Sequence, residues 1–155
     1  FGDPPINLLR ATLVNHVVHI EQGPSLMLMA PLNVEDPALL AGIRPEDFRL
    51  QGSVGDLAFP ARVERVECSM YSSHIECRSR AGSLTVMAPS LLRPALGESV
   101  VLYADPGAVY LFDGAGALVQ QIERATERAR RVPEVVPVTG DMPDTVEGPT
   151  IFALR

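Results

Sequence analysis

The 155-residue chain contains no lysine and no tryptophan, and all 13 of its basic residues are arginine. A phosphate-binding P-loop needs a lysine to reach the terminal phosphates, and Schiff-base chemistry needs an amine, so the sequence excludes both. Only two cysteines are present, Cys68 and Cys77. They are too few for a disulfide-dense scaffold and lack metal-ligand spacing. We therefore interpret them as reduced thiols in the core of a cytosolic protein.

Long apolar runs and an excess of positive charge are also missing. No run approaches the roughly 20 apolar residues of a membrane helix, and the first residues lack a signal-peptide pattern. The opening "FGDPPIN" is typical of a loop, so we expect a piece of a longer protein. The net charge of −6 and the pI near 5.0 disfavour nucleic acid as a partner.

Catalytic motifs are absent from the sequence. There is no H-E-x-x-H, no G-x-S-x-G and no cysteine with a histidine partner nearby. Adjacent acids such as Glu46 and Asp47 favour the starts of helical turns. His16, His19 and His74 fall on expected strands, where the first two point to opposite faces and cannot share a metal. The residues thus predict a non-enzymatic module without catalytic, cofactor or metal residues.

Glycine and proline punctuate the chain at short intervals, and β-branched runs lie between them, which is typical of a small barrel or sandwich. Residues 13–20 and 26–30 flank the turn sequence "EQGPS" and predict a hairpin. The stretch "NVEDPALLAG" predicts a short helical turn that starts at Asp36 and Pro37 and is closed by Gly42.

The middle of the chain alternates in the manner of strands. The strand that begins at Phe59 changes phase between Val63 and Val66, which predicts a β-bulge. Four more alternating runs follow, with the inward residues Ile75 and Cys77, then Leu84, Val86 and Ala88, then Val100 and Leu102, then Val109 and Leu111. Five such strands predict a mainly β protein with an OB-like barrel.

Residues 118–131, "LVQQIERATERARR", contain no glycine or proline and carry one apolar stripe, so they predict a helix. Pro133 ends it, and the remainder predicts an extended tail. We therefore expect an OB-like domain over residues 1–117, with its core at about 41–113, and a helix plus tail over residues 118–155.

Two local patterns carry more than one interpretation. In "VYLFDGAGALVQQ" a strand, a G-x-G and a helix follow one another as in a dinucleotide-binding turn, but Val119 occupies the third glycine position. A turn built on Asp113, Gly114 and Gly116 is the better interpretation. Cys68 and Cys77 are symmetric about a possible hairpin turn, which makes a disulfide conceivable, although paired core thiols are preferred.

Three stretches in order carry a family resemblance: "FGDPPINLL" (residues 1–9), "AGIRPEDFRL" (41–50) and "YLFDGAGALV" (110–119). They resemble the C-terminal region of ATP-binding subunits of ABC importers of the maltose, trehalose and glycerol-3-phosphate class. The corresponding patterns there read approximately G-S-P-x-M/I-N, G-I-R-P-E and L-F-D-x-x-T/D-G. The matching residues, for which the resemblance implies structural roles, are Pro5, Asn7, Gly42, Ile43, Arg44, Pro45, Glu46, Phe112 and Asp113.

The resemblance implies an OB-like TOBE domain, similar to MOP domains, that follows a nucleotide-binding domain. It implies a regulatory and dimerisation role at the cytoplasmic, inner face of the cell membrane. The implied partners are a second copy, the transmembrane permease subunits through the parent protein and, as in some members of the family, a regulatory protein. ATP and Mg would belong to the nucleotide-binding domain, so this chain would hold no cofactor and would not itself be an enzyme.

An alternative function is a small-ligand sensor for oxyanions or sugar phosphates, because related OB-like modules bind oxyanions between paired domains. Arg78, Arg80 and Ser83, near "SRAGS", are the candidate ligand residues. An exposed charged hairpin explains these residues equally well.

The stretch "AGIRPEDFRL" is expected to form a structural corner. Ile43 should begin a buried strand, and Pro45 should stop its pairing because proline lacks an N–H donor. Arg44 should anchor the following turn through a charge-assisted bond to Glu46 or Asp113.

Overall fold

The computed structural model describes residues 4–121. They form ten strands: β1 (Asn7–Val14), β2 (Val17–Ile20), β3 (Ser25–Met27), β4 (Ala38–Ile43), β5 (Leu57–Cys68), β6 (Ser72–Ser79), β7 (Gly82–Pro89), β8 (Ser99–Ala104), β9 (Tyr110–Phe112) and β10 (Leu118–Gln121). Two short 3₁₀ turns, Pro45–Asp47 and Pro106–Ala108, precede β5 and β9. Within the described residues, no helix has the length and apolarity needed to cross a membrane.

The strands make two antiparallel sheets, one in the order β10-β9-β4-β1-β2-β3 and one in the order β7-β6-β5-β8. Alternate residues of both sheets are buried in one hydrophobic core. Its largest fully buried side chains are Phe59, Ile43, Ile75, Leu84, Leu102, Leu111, Val18, Val63, Val86 and Val109. Phe48 packs edge-on against Phe59, with ring centroids 5.6 Å apart. The predicted mainly β, OB-like fold is therefore confirmed.

The first hairpin differs from the predicted one. β1 and β2 pair up to Val14 and Val17, so Asn15 and His16 form a two-residue turn inside the segment expected to be one strand. Both turn residues have positive φ, 47° and 68°. This left-handed backbone matches the twist of a tight hairpin, and it was missed because neither residue is glycine. The turn predicted at "EQGPS" is confirmed, since it joins β2 to β3.

The helical turn predicted within residues 33–42 is wrong, because residues 38–43 form β4. Asp36 accepts a hydrogen bond from the Ala38 N–H at 3.0 Å, an Asx turn that leads into the strand. Gly42 lies inside β4, and Ile43 ends the strand where it was expected to begin one. Pairing with β1 and β9 overrides the weak local helix signal.

The predicted β-bulge is confirmed in β5. Val63 pairs with Cys77, but the next pair is Arg65 with Glu76, so Glu64 is the extra residue. The runs predicted after it form β6, β7, β8 and β9. Beyond the bulge Val66 still packs against the core, but Cys68, at the end of the strand, is exposed.

The helix predicted to begin at Leu118 is wrong for its first four residues. Leu118–Gln121 form β10, which pairs antiparallel with β9. The turn after Phe112 reverses the chain, so edge pairing replaces the helical spacing of the apolar residues. The rest of that helix and the tail lie outside the described residues, and the division at residue 117 remains a prediction.

Candidate functional site

The three stretches that carry the family resemblance meet in the first sheet. They lie on β1, β4 and β9, which are adjacent strands in the order β9-β4-β1. Asn7 is opposite Ile43, and Gly42 is opposite both Leu8 and Tyr110. Sequence stretches far apart in the chain thus form one continuous structural unit.

At Gly42 two neighbouring side chains, those of Phe112 and Ile6, come very close to the backbone of β4. A Cβ at this position would lie 2.8 Å from Cε2 of Phe112 and 2.9 Å from Cδ1 of Ile6. Both side chains cover the outer surface of β4 directly over the glycine. A side chain at this position would therefore force the Phe112 ring or Ile6 to move.

Asn7 joins the two sheets through its buried side chain. Its Oδ1 accepts from the Thr85 N–H at 2.8 Å, and its Nδ2 donates to the Thr85 carbonyl at 2.9 Å. Nδ2 also donates to the carbonyl of Ile43 at 3.1 Å. Because Thr85 lies on β7, an edge strand, the amide bonds it as a neighbouring strand's backbone would.

In the described part of the chain Arg44 forms no hydrogen bond or ion pair with Glu46 or Asp113, so the predicted partners of its anchoring bond are wrong. Its guanidinium lies 5.2 Å from the centroid of the Tyr110 ring, and Nε donates to the Tyr110 hydroxyl at 3.4 Å. That hydrogen bond raises the pKa of Arg44 above its ordinary value. Pairing of β4 stops before Pro45, which begins the 3₁₀ turn that also contains exposed Glu46. Arg44 therefore holds the end of β4 against β9 by a cation–π contact with the Tyr110 ring.

Pro5 and Asp113, the remaining motif residues, lie next to strand ends. Pro5 is exposed just before β1. Asp113 accepts from the N–H groups of Ala115 and Ala117 through Oδ1, both at 2.9 Å, and Gly116 has φ +90°. This turn joins β9 to β10, so no helix follows it within the described residues and the strand-turn-helix order of a dinucleotide site is not present there.

The candidate ligand residues lie on the outer face of the second sheet. Arg78 on β6 is directly opposite Ser83 on β7, and Arg80 lies in the turn between these strands. Arg78 and Arg80 line an open cleft of about 370 Å³, whereas Ser83 lies beside it. The cleft is lined by Pro60, Ala61, Arg62, Glu64, Arg78, Ser79, Arg80 and Ser99.

Sequence reasoning missed Arg62, Glu64 and Ser99 as members of this cleft. Arg62 pairs with Arg78 on one side and with Ser99 on the other. The outward position of Arg62 and Glu64 is visible in the alternation of β5. Only the strand register, however, shows which outward residue of β5 faces Arg78.

An apolar cluster lies at the far end of the second sheet. Met70 and Tyr71, in the turn between β5 and β6, are 78% and 85% exposed. The pair Ser72 and Pro89 brings this turn beside the loop after β7, where Leu91 is 91% exposed. Large exposed apolar side chains that lie together are typical of an interaction surface. Leu92 in the same loop is 41% exposed, and we call Met70, Tyr71, Leu91 and Leu92 the apolar tip.

The histidines do not come together. His16 lies in a turn and not on the strand predicted for it, His19 shares a 2.8 Å hydrogen bond with Ser25 Oγ, and His74 lies on β6 in the other sheet. Over residues 4–121 no group of three His, Cys, Asp or Glu side chains is placed to hold a metal ion.

The cysteines are two separate free thiols. The β5–β6 hairpin turns earlier than the symmetric position, so Cys68 lies opposite Ser73, and Cys77 lies opposite Val63. The interpretation as paired core thiols is therefore wrong for Cys68, which is exposed. Burial, with a smaller contribution from Glu64, raises the pKa of Cys77 to about 11. Cys77 is consequently a protonated core residue and not a nucleophile.

The fold and these surfaces define a β-rich module of the binding or regulatory kind. Residues 41–112, from β4 to the end of β9, match the family model of the TOBE domain, TOBE_2. The chain therefore contains a TOBE domain, which is a binding or regulatory module and not a catalytic one. Among curated protein sequences, none matches this chain.

A solved structure with a similar fold is that of the cytoplasmic molybdate-binding protein ModG with molybdate bound. It aligns with a TM-score of 0.52 at 13% identity, over 68% of this chain and 94% of the ModG chain. At this identity the similarity concerns the fold alone.

Proposed function

We propose that this chain is the regulatory and dimerisation module of the ATP-hydrolysing subunit of an ABC importer for sugars or related solutes. The TOBE domain and the three ordered stretches on β1, β4 and β9 support this context. In the proposal, ATP and Mg bind a separate nucleotide-binding domain, and the permease subunits hold the assembly at the inner membrane face.

The apolar tip is the observation that carries the dimerisation role. Its exposed side chains come from two loops that meet at one end of the second sheet. Two copies related by a two-fold axis would bury Tyr71 and Leu91 of each copy against the other. The contact is expected to be weak by itself, because a second interface in the full subunit would raise the effective concentration.

Sedimentation of the chain, alone and fused to its nucleotide-binding domain, tests the self-contact. We expect Tyr71→Ser with Leu91→Ser to weaken dimerisation at least tenfold, because both replacements remove apolar area from the contact. Val54→Ser is the matched control, since Val54 is fully exposed in the loop before β5, at the other end of that strand. A monomer in both contexts would contradict the proposal, as would equal dimer constants for all variants.

A second candidate function is a small-oxyanion sensor. Two observations favour it: the arginine-lined cleft of the second sheet and the likeness in fold to a molybdate-binding protein. Calorimetry of the chain with molybdate, sulfate, inorganic phosphate and glycerol phosphate tests it. The absence of heat with all four would leave the self-contact as the sole function proposed.

A further inference from the structure

Four residues form a straight row across the outer face of the second sheet. In the strand order β7-β6-β5-β8 they are Ser83, Arg78, Arg62 and Ser99, each directly opposite the next. All four are exposed, while the neighbouring core residues point to the other face. With strands about 4.8 Å apart, the row spans roughly 14 Å. It is therefore short enough for one small molecule to contact several members.

The centre of the row places two positive charges opposite each other. Like charges at directly opposed positions of antiparallel strands destabilise a sheet. Arg80 adds a third guanidinium to the same cleft, whereas Glu64 is the single carboxylate of its lining. The cleft thus carries a net positive charge on a chain whose net charge is −6. This arrangement favours an anion bound between the arginines.

Several donors of the cleft remain available. Arg62 donates to the carbonyl of Gly97 at 3.0 Å, which holds its side chain while leaving other N–H groups open. Arg78 contacts Glu64 at 3.5 Å in an exposed ion pair, a weak type of interaction. Within residues 4–121, no hydrogen bond or ion pair involves the Arg80 guanidinium or the Ser99 hydroxyl. The Ser79 hydroxyl, by contrast, is already bonded within the adjacent turn, where it donates to the Gly82 carbonyl and accepts from the Ala81 N–H.

We propose that this cleft binds a tetrahedral oxyanion, either as free phosphate or as the phosphate group of a small ester, with Glu64 as the internal competitor. Arg62 and Arg78 grip the oxyanion from two strands through their planar guanidinium forks, which suit phosphate oxygens. Arg80 and the Ser99 hydroxyl supply further donors. The inference rests on the sensor function, and it places the whole site on one chain, not between paired domains.

Glu64 gives the site a testable signature. An arriving oxyanion competes with the Glu64 carboxylate for the Arg78 guanidinium. Removing the negative charge of Glu64 should therefore tighten binding, whereas removing either arginine should weaken it. A merely charged surface would respond equally to every arginine.

Calorimetry at low ionic strength, with inorganic phosphate in one series and glycerol phosphate in another, tests the site. We expect Arg62→Ala and Arg78→Ala each to raise the Kd at least about tenfold, and Glu64→Gln to lower it several-fold. The conservative variant Arg78→Lys should recover part of the loss. Arg10→Ala is the control, because Arg10 is an exposed residue on the first sheet and its loss changes the net charge equally. Tighter binding of glycerol phosphate than of phosphate would identify the ester as the ligand.

The possible results distinguish failure of the sensor function from failure of the proposed binding site. If no anion produces saturable heat with the unaltered chain, both the sensor function and the site are overturned. If the anions bind but Arg62→Ala, Arg78→Ala and Arg10→Ala have equal Kd values, the sensor function stands and this site is overturned. Saturable binding of an acidic peptide with none for phosphate or its ester would overturn the oxyanion assignment. Thermal melts of each variant establish that it is folded.

Discussion

At the scale of single residues, the side chain of Asn7 links the two sheets by hydrogen bonds. It satisfies both backbone groups of Thr85 and the carbonyl of Ile43 at once. Three backbone groups therefore bond to one amide, and removing the amide would take this hydrogen bond from each of them.

Replacing Asn7 should lower the free energy of unfolding. We expect Asn7→Ala to cost about 2–4 kcal/mol, because it leaves three backbone groups without this partner. Asn7→Asp should also destabilise, since a carboxylate cannot donate to the two carbonyls. Urea unfolding measures both, with Asn33→Ala, an exposed loop position, as the control. If Asn7→Ala and Asn33→Ala unfolded at the same urea concentration, the bridge between the sheets would carry no stability.

Because the thiol of Cys77 is buried, we expect the free energy of unfolding to fall at high pH. Its ordinary pKa is 9.0, and burial raises the folded value to about 11. The folded state thus holds its proton more tightly, so its stabilising contribution is complete below pH 9 and is lost as the pH rises towards 11. The loss is at most about 1.4 kcal/mol per pH unit across that range.

Denaturant unfolding of the chain at pH 8 and pH 10.5 measures this effect. Cys77→Ala should be less stable at pH 8 but should lose less stability between the two pH values. Cys68→Ala should keep the pH dependence of the original chain, because the Cys68 thiol is exposed. Equal pH dependence in all three proteins would contradict the assignment to Cys77.

At the scale of elements, turns decide where the strands begin and end. Asn15 and His16 show that a hairpin needs the backbone conformation and not a glycine in the sequence. Asp36 and Asp113 shape their turns through side-chain acceptors. A prediction that recognises turns only by glycine and proline therefore treats β1 and β2 as one strand.

The His16 turn can be strengthened. His16 has φ 68°, a left-handed conformation that costs a non-glycine residue about 1 kcal/mol. We expect His16→Gly, which creates the favoured Asn-Gly pair, to raise the free energy of unfolding by about 0.5–1 kcal/mol. His16→Ala should give no such gain, because alanine keeps the Cβ. Chemical denaturation of the two variants side by side tests the assignment, and equal stabilities would contradict it.

At the scale of the whole molecule, the two sheets divide the surface into regions of different chemistry. The first sheet carries the residues of the family resemblance, in an apolar unit around Gly42. The second sheet carries the arginine cleft on its outer face and the apolar tip at one end. A chain of net charge −6 thus concentrates three arginines where small anions can reach them.

Much of the fold follows from local patterns. The strands β5 to β9 are predictable from the alternation of apolar and polar residues. The bulge in β5 is predictable because a one-residue phase slip moves every following side chain to the other face. β4 and the start of β10 cannot be predicted from local alternation. Their local spacing and turn residues favour helix, and only pairing with β1 and β9 makes them strands.

The cleft illustrates the same limit for function. Arg78, Arg80 and Ser83 are close in sequence and are recognisable as a basic cluster. Arg62 joins them only through strand pairing, and Ser99 only through the next pairing along.

By itself the amino-acid sequence determined the absence of P-loop and Schiff-base chemistry, the mainly β class, the inward faces of the middle strands and the family resemblance. These properties depend on composition and on short-range periodicity, which any stretch of chain displays locally. The tertiary structure alone decided the partners of Asn7 and Arg44, the edge position of β10 and the convergence of Arg62 with Arg78. Each depends on which distant strands pair and in what register, and that is set by burial of the shared core.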